Sequence, residues 1–260
     1  MSITAKANAR LIIRKYGFES PAEINLEELI YAENLFLKEE ELEGCEGKII
    51  FNDTTGIITI DSSIKEAGQK NFIMAHELGH YICESKSREF NEGTITIKCR
   101  FEDLNGINKA KREENANSFA GELLMPEEWF ASFVNKKRIS KSLISDTADY
   151  FNVSLTAAAF NYSRIGHREC AVVLSKEGII QWSSIHKEFK YQFIRAKKRV
   201  SKLSYAHDFF AGMPIPSSEE EISAEAWFNE CNNINKNERI FELNIPMQKY
   251  NAVLTLIWMR

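Results

Sequence analysis

Cysteine and histidine are scarce in this chain, five of each in 260 residues, and positive charge is not in excess. The cysteines (Cys45, Cys83, Cys99, Cys170 and Cys231) are odd in number, widely spaced and never arranged as C-x-x-C. That argues against a disulfide framework and for reduced thiols in a cytoplasm, read mostly as small buried hydrophobes. Long apolar runs are missing too. The longest, AVLTLIWM at 252 to 259, is far short of the ~20 residues that span a bilayer, and charges interrupt every apolar run of the N-terminal MSITAKANARLIIRKYGF. Neither secretion nor membrane insertion is expected. With 33 basic against 37 acidic residues the net charge is −4, so no global positive field attracts nucleic acid or an anionic membrane, although a local basic patch is compatible with it. Repeats and low-complexity segments are also lacking. What is present is 44% hydrophobic residues, enough for a substantial core.

Periodicity predicts an α+β protein. Helical spacing runs from Ile3 to Tyr16 with Gly17 at the capping position, and Asn25 with Glu28 resembles a capping box opening a second helix. KIIFN and IITID, around a turn, predict a β-hairpin. A helix from about Glu66 to Cys83 follows, then a polar loop through Asn105 and a helix from about Lys109 that Pro126 stops. Pro126 suits the first turn of a further helix, EEWFASFV. SLISDTADYF and SLTAAAFNYSRI, joined by NVS, resemble a helix-turn-helix or a plain helical hairpin. AVVL and IIQW predict a second hairpin, FELNI and AVLTLIWM two more strands, and SSEEE at 217 to 221 a solvated loop or helix start. The expected division is a mostly helical domain with a small β-hairpin over 1–134, a helix-turn-helix-like segment over 135–168 and a small α+β domain over 169–260.

Chemistry concentrates in FIMAHELGHYIC, residues 72 to 83. On a helix, positions i and i+4 differ by about 40° and about 6 Å, so His76 and His80 can converge on one cation. Glu77, turned by about 100°, falls beside that cation, where a general base is needed. Tyr81, rotated off the histidine face, reads as a packing residue, and the hairpin before the motif could offer an edge strand to an extended peptide. An isolated buried histidine is most often a hydrogen-bonded core residue, but two around a glutamate inside an apolar helix are hard to reconcile with that reading. Zinc, preferred over manganese or iron on ligand type, needs a third ligand. Cys83 and Lys86 stand where a metzincin carries glycine and histidine. Cys83 lies on the histidine face but reads as a core residue, and Glu84 sits at a fraying end. KREENANSFAGELLMP offers more: Ala116, Phe119, Ala120, Leu123 and Leu124 form a buried stripe, with Glu113 about 50° from its centre. A carboxylate so placed demands a partner, and a cation would serve. Asn117, one turn on, could hydrogen-bond a ligating imidazole or simply edge the stripe. Glu114 and Glu122 read as solvent-facing.

These two blocks, FIMAHELGHYIC and E-x-x-A-N-x-F-A-x-E-L-L-M-P from Glu113 to Pro126, resemble the ImmA/IrrE family of metallo-endopeptidases. The resemblance covers the first half of the chain strongly and the remainder more weakly. It implies a zincin-like fold, His76, His80 and Glu113 as ligands of one zinc ion, and Glu77 as the catalytic residue. It also implies a substrate class, helix-turn-helix transcriptional repressors, cut to derepress mobile-element or stress genes. Many relatives carry an N-terminal DNA-binding domain that this sequence does not display, so a separate repressor polypeptide is the expected partner.

Two rival functions stand beside this one. A DNA-binding regulator would use residues 139 to 165, but SLTAAAFNYSRI has few side chains able to reach base edges, so direct nucleic-acid binding is not expected. A metal-containing sensor without turnover would keep the site and lack the hydrolysis.

Overall fold

The computed structural model describes residues 3–52, 54–84, 95–99, 107–235 and 237–260. It is an α+β fold that divides into two compact units, Met1–Trp129 with Ala148–Ser154, and Phe130–Thr147 with Leu155–Arg260.

The first unit opens with helix α1 (Ile3–Tyr16). Gly17, at φ 68°, ends it: the Gly17 N–H donates to the Arg14 carbonyl (3.2 Å) and the Phe18 N–H to that of Ile13 (3.1 Å), a left-handed cap that favours glycine. Helix α2 (Leu26–Ala32) is capped by Asn25, whose Oδ1 accepts from the Glu27 and Glu28 N–H groups. The box closes through the Asn25 side-chain amide, which donates to Glu28 Oε1 at 3.0 Å. Strands β1 (Leu35–Glu40), β2 (Gly47–Phe51) and β3 (Gly56–Asp61) precede helix α3 (Ala67–Glu84), followed by β4 (Ile95–Cys99) and helix α4 (Ile107–Leu124). The sheet order is β1-β3-β2-β4, with β1 parallel to β3 and the other pairs antiparallel.

Two of these strands depart from expectation. β1 is not foreseeable from its own residues, because half of LFLKEE is charged and its partner lies some twenty residues away. β4 falls inside the expected polar loop, whose remaining residues, 85–94 and 100–105, lie outside the described ones. Leu35, Ile49, Phe51, Ile58 and Ile60 are buried, and α3 packs on β2 and β3. α1 packs on α4, and this overturns the reading of Glu122 as solvent-facing. Glu122 is buried and pairs with Arg10 Nε at 2.8 Å and Lys6 Nζ at 3.4 Å. A wheel drawn on one helix cannot register cations supplied by another.

Helices α5 (Glu127–Val134), α6 (Lys141–Phe151) and α7 (Leu155–Ile165) come next. Asn152, at φ 50°, makes the turn between the last two. α7 buries Ala158, Ala159, Asn161, Tyr162 and Ser163 and packs on β5 (Cys170–Lys176) and β6 (Ile179–Ile185). Glu177 and Gly178, both at positive φ, join these two strands in the expected hairpin. Then follow α8 (Tyr205–Phe210), β7 (Glu220–Ser223), α9 (Glu225–Phe228), β8 (Arg239–Met247) and β9 (Ala252–Met259). The five strands form an antiparallel sheet in the order β6-β5-β9-β8-β7. The SSEEE segment thus contributes its last residues to an edge strand.

The core of the second unit includes Phe189, Tyr191, Trp227, Phe228 and Ile257, and one carboxylate is buried beside it. Glu242 accepts hydrogen bonds from Ser204 Oγ and the Ala206 N–H, both at 3.1 Å, and from the Trp227 indole N–H at 2.8 Å. These contacts tie β8 to the starts of α8 and α9. Among the described residues no helix is long and apolar enough to cross a membrane.

Candidate metal centre

α3 is buried on all sides from Ile73 to Ile82, and His76 and His80 go into the interior with it, at 7% and 1% exposure. Glu77 is fully buried. α4 lies unusually close alongside: a Cβ on Gly79 would stand 3.0 Å from Phe119 Cδ1 and 3.2 Å from the Ala116 backbone. Gly79 and Ala116 therefore let the two helix backbones approach, and this brings Glu113 within reach of both imidazoles. His76 Nε2 lies 3.2 Å from Glu113 Oε2, His80 Nε2 lies 3.6 Å from Oε1, and the two Nε2 atoms are 3.1 Å apart. One ligand atom from each of the three residues falls within 4.8 Å of the others.

Hydrogen bonding settles which lone pairs converge. The Asn117 carbonyl oxygen lies 3.0 Å from His76 Nδ1, so Nδ1 carries the proton and donates it to Asn117. Nε2 then presents a lone pair toward an anionic carboxylate and a second imidazole nitrogen. Bases facing each other at this range need a proton or a cation among them. Burial pushes the Glu113 carboxyl up, but its contacts with the His76 and His80 rings outweigh it and hold the group down at about 2. Burial lowers His80, more than its contact with Glu113 raises it. At neutral pH the site therefore offers a carboxylate and a neutral His80, the protonation states that metal binding requires. The spacing also suits zinc, since tetrahedral bonds of about 2.0–2.1 Å place ligand atoms roughly 3.3 Å apart. Two histidines and a glutamate are a donor set of catalytic zinc sites, which leave one position open.

The structure thus brings together His76, His80, Glu113 and Asn117, with Glu77 buried on the same helix as the two histidines. Asn117 is solvent-exposed yet touches His76. Glu84 lies apart from the cluster; it is buried and pairs with Arg112 Nε at 3.2 Å. Cys83 is half-buried, with its Sγ 3.9 Å from the Asn8 amide nitrogen. Tyr81 stacks edge-on against Phe51, the packing role expected of it, and Glu114 is exposed. One expectation fails: the hairpin before the motif does not offer an edge strand, because β2 and β3 are interior and the sheet's edges are β1 and β4. Gly47, at the start of β2, leaves no room for a side chain beside Glu77, and no signal in the sequence points to it.

A helix bearing H-E-x-x-H, a glutamate from a neighbouring helix and a small mixed sheet packed against the first helix form, in an α+β fold, a group of residues that could hold a metal ion. Residues 33–163 match the profile of the IrrE N-terminal-like domain, and the chain belongs to this M78 peptidase family. No curated protein matches the chain significantly. Among solved structures, a Mycobacterium tuberculosis transcriptional regulator is similar in fold, at 15% identity and a TM-score of 0.60 over 98% of this chain and 76% of that one.

Proposed function

We propose that the protein is a zinc-dependent endopeptidase whose substrate is another protein, a helix-turn-helix transcriptional repressor, cut to relieve repression of mobile-element or stress genes. The observation that carries the reading is the convergence of His76, His80 and Glu113 beside Glu77, in a chain of the M78 family. His76, His80 and Glu113 would hold one zinc ion, which when bound supplies Lewis acidity, polarising a scissile carbonyl and making water nucleophilic at neutral pH. Glu77 accepts the proton of the attacking water and passes it to the departing amide nitrogen. Its burial excludes bulk water from that transfer. Asn117 holds the His76 ring in the tautomer that frees Nε2. An extended peptide would add to the sheet at β4, whose Cys99 is in register with Gly47.

Residues 1–134 form the catalytic domain in this proposal, 135–168 a helix-turn-helix-like segment and 169–260 a docking or sensing domain. The burial of one face of α7 against β5 and β6 favours packing over base readout for that segment. The protein works in the cytoplasm, where its repressor would be. Purified protein incubated with the product of a neighbouring repressor gene should release discrete fragments, stop with chelator and resume on adding zinc. Glu77→Gln should keep zinc and lose cleavage; an unchanged Glu77→Gln would instead indicate a metal-binding sensor.

A further inference from the structure

Glu77 occupies space that exists only because residue 47 has no side chain. β2 begins at Gly47, in register with Ile60 of β3 on one side and Cys99 of β4 on the other. Its backbone passes directly over the middle of α3. A Cβ built on Gly47 would stand 2.7 Å from Glu77 Oε1, 3.3 Å from Glu77 Cδ and 2.6 Å from Ile73 Cγ2. Real Cβ atoms are essentially never found within 3.0 Å of another heavy atom. Gly47 lies outside the left-handed region, so turn geometry does not explain the glycine. The contacts with Ile73 and Glu77 do.

We propose that Gly47 is a positioning residue for the hydrolytic step: the gap above its Cα is the seat of the Glu77 carboxylate and fixes where that carboxylate stands relative to His76 and His80. This rests on the assignment of Glu77 as the base. A methyl group at position 47 must be accommodated by the side-chain ends of Ile73 and Glu77, because β2 is held on both sides by neighbouring strands and α3 is buried from Ile73 to Ile82. None of the three atoms nearest to that Cβ belongs to His76, His80 or Glu113, so the effect falls on proton transfer and not on loading of the ion. Displacing a reacting group by about 1 Å costs on the order of 100-fold in rate.

The test uses zinc-loaded full-length Gly47→Ala with the repressor cleaved by the wild type. It should show kcat reduced by roughly 100-fold, with KM and zinc affinity within about threefold of the wild type. Gly121→Ala, at a helical glycine with nothing within 4 Å, is the control and should leave kcat unchanged. Because the added methyl group also meets Ile73, the double variant Gly47→Ala/Ile73→Ala removes that clash; a low kcat there, with Ile73→Ala alone active, assigns the loss to Glu77. A crystal structure of Gly47→Ala reads the same point without activity and should show the Glu77 carboxylate moved from its seat. An undisplaced Glu77, or a kcat within threefold of wild type, overturns the proposal. If the wild type cleaves nothing, the peptidase reading fails, while the crystal structure still decides whether Gly47 seats Glu77.

Discussion

Replacing Asn117 by alanine isolates the contribution of one hydrogen bond to metal affinity. In the folded protein the Asn117 oxygen accepts from His76 Nδ1 at 3.0 Å, fixing both ring orientation and tautomer. Losing such a partner typically weakens metal binding by about 10- to 100-fold. Asn117 is exposed, so water can take over as acceptor in the variant, and the loss should fall at the low end, about tenfold or ~1.4 kcal/mol. Asn117→Asp keeps an acceptor of the same length, adds charge and should bind zinc at least as well as wild type. Competition against a chromophoric chelator at fixed neutral pH measures all three affinities. The reasoning is refuted if Asn117→Ala lies within twofold of wild type, or if Asn117→Asp is as weak as Asn117→Ala.

Other consequences concern packing and pH. Gly79→Val inserts side-chain atoms where even a Cβ would stand 3.0 Å from Phe119. It should cost about 1–3 kcal/mol by overpacking and, by pushing α4 away, weaken zinc binding; calorimetry and the chelator competition check the two effects separately. Burial raises the pKa of Glu242 despite the hydrogen bonds it accepts from Asn244, Trp227, Ser204 and the Ala206 N–H. The folded state therefore holds this proton more tightly than the unfolded one. The resulting stability is fully present below the ordinary carboxylate value and lost as pH rises through the raised one. Urea titrations across that window should show the decline in wild type and a flatter profile in Glu242→Gln. An equal slope in both proteins would assign the dependence elsewhere.

Much of the fold follows from local patterns. α1, α3 and α4 have apolar residues every three or four positions, and their ends carry Gly17 or stop near Pro126, so their extents are readable to within about two residues. The β2–β3 and β5–β6 hairpins are readable because a strand and its partner are adjacent in sequence. β1 and β4 are not, because each is defined by pairing with a distant strand: LFLKEE does not alternate cleanly, and the alternation of ITIKC is only five residues long within a polar stretch. The same distinction holds at the site. His76, Glu77 and His80 are bound to one helix, where spacing alone dictates geometry. Glu113 is reachable because a carboxylate near an apolar stripe calls for a partner. Glu122 is misread from its own helix since its partners, Lys6 and Arg10, lie on α1. Gly47 leaves no sequence signal, because its role is the absence of atoms next to a residue thirty positions away.

The most direct test of the metal centre is X-ray absorption at the zinc edge of the stoichiometrically loaded protein. One ion per chain, with two imidazole nitrogens and a carboxylate oxygen at about 2.0–2.2 Å and no sulfur neighbour, is the predicted result. A sulfur scatterer at about 2.3 Å, which would bring in Cys83 in place of Glu113, or failure to retain zinc at all, would contradict it.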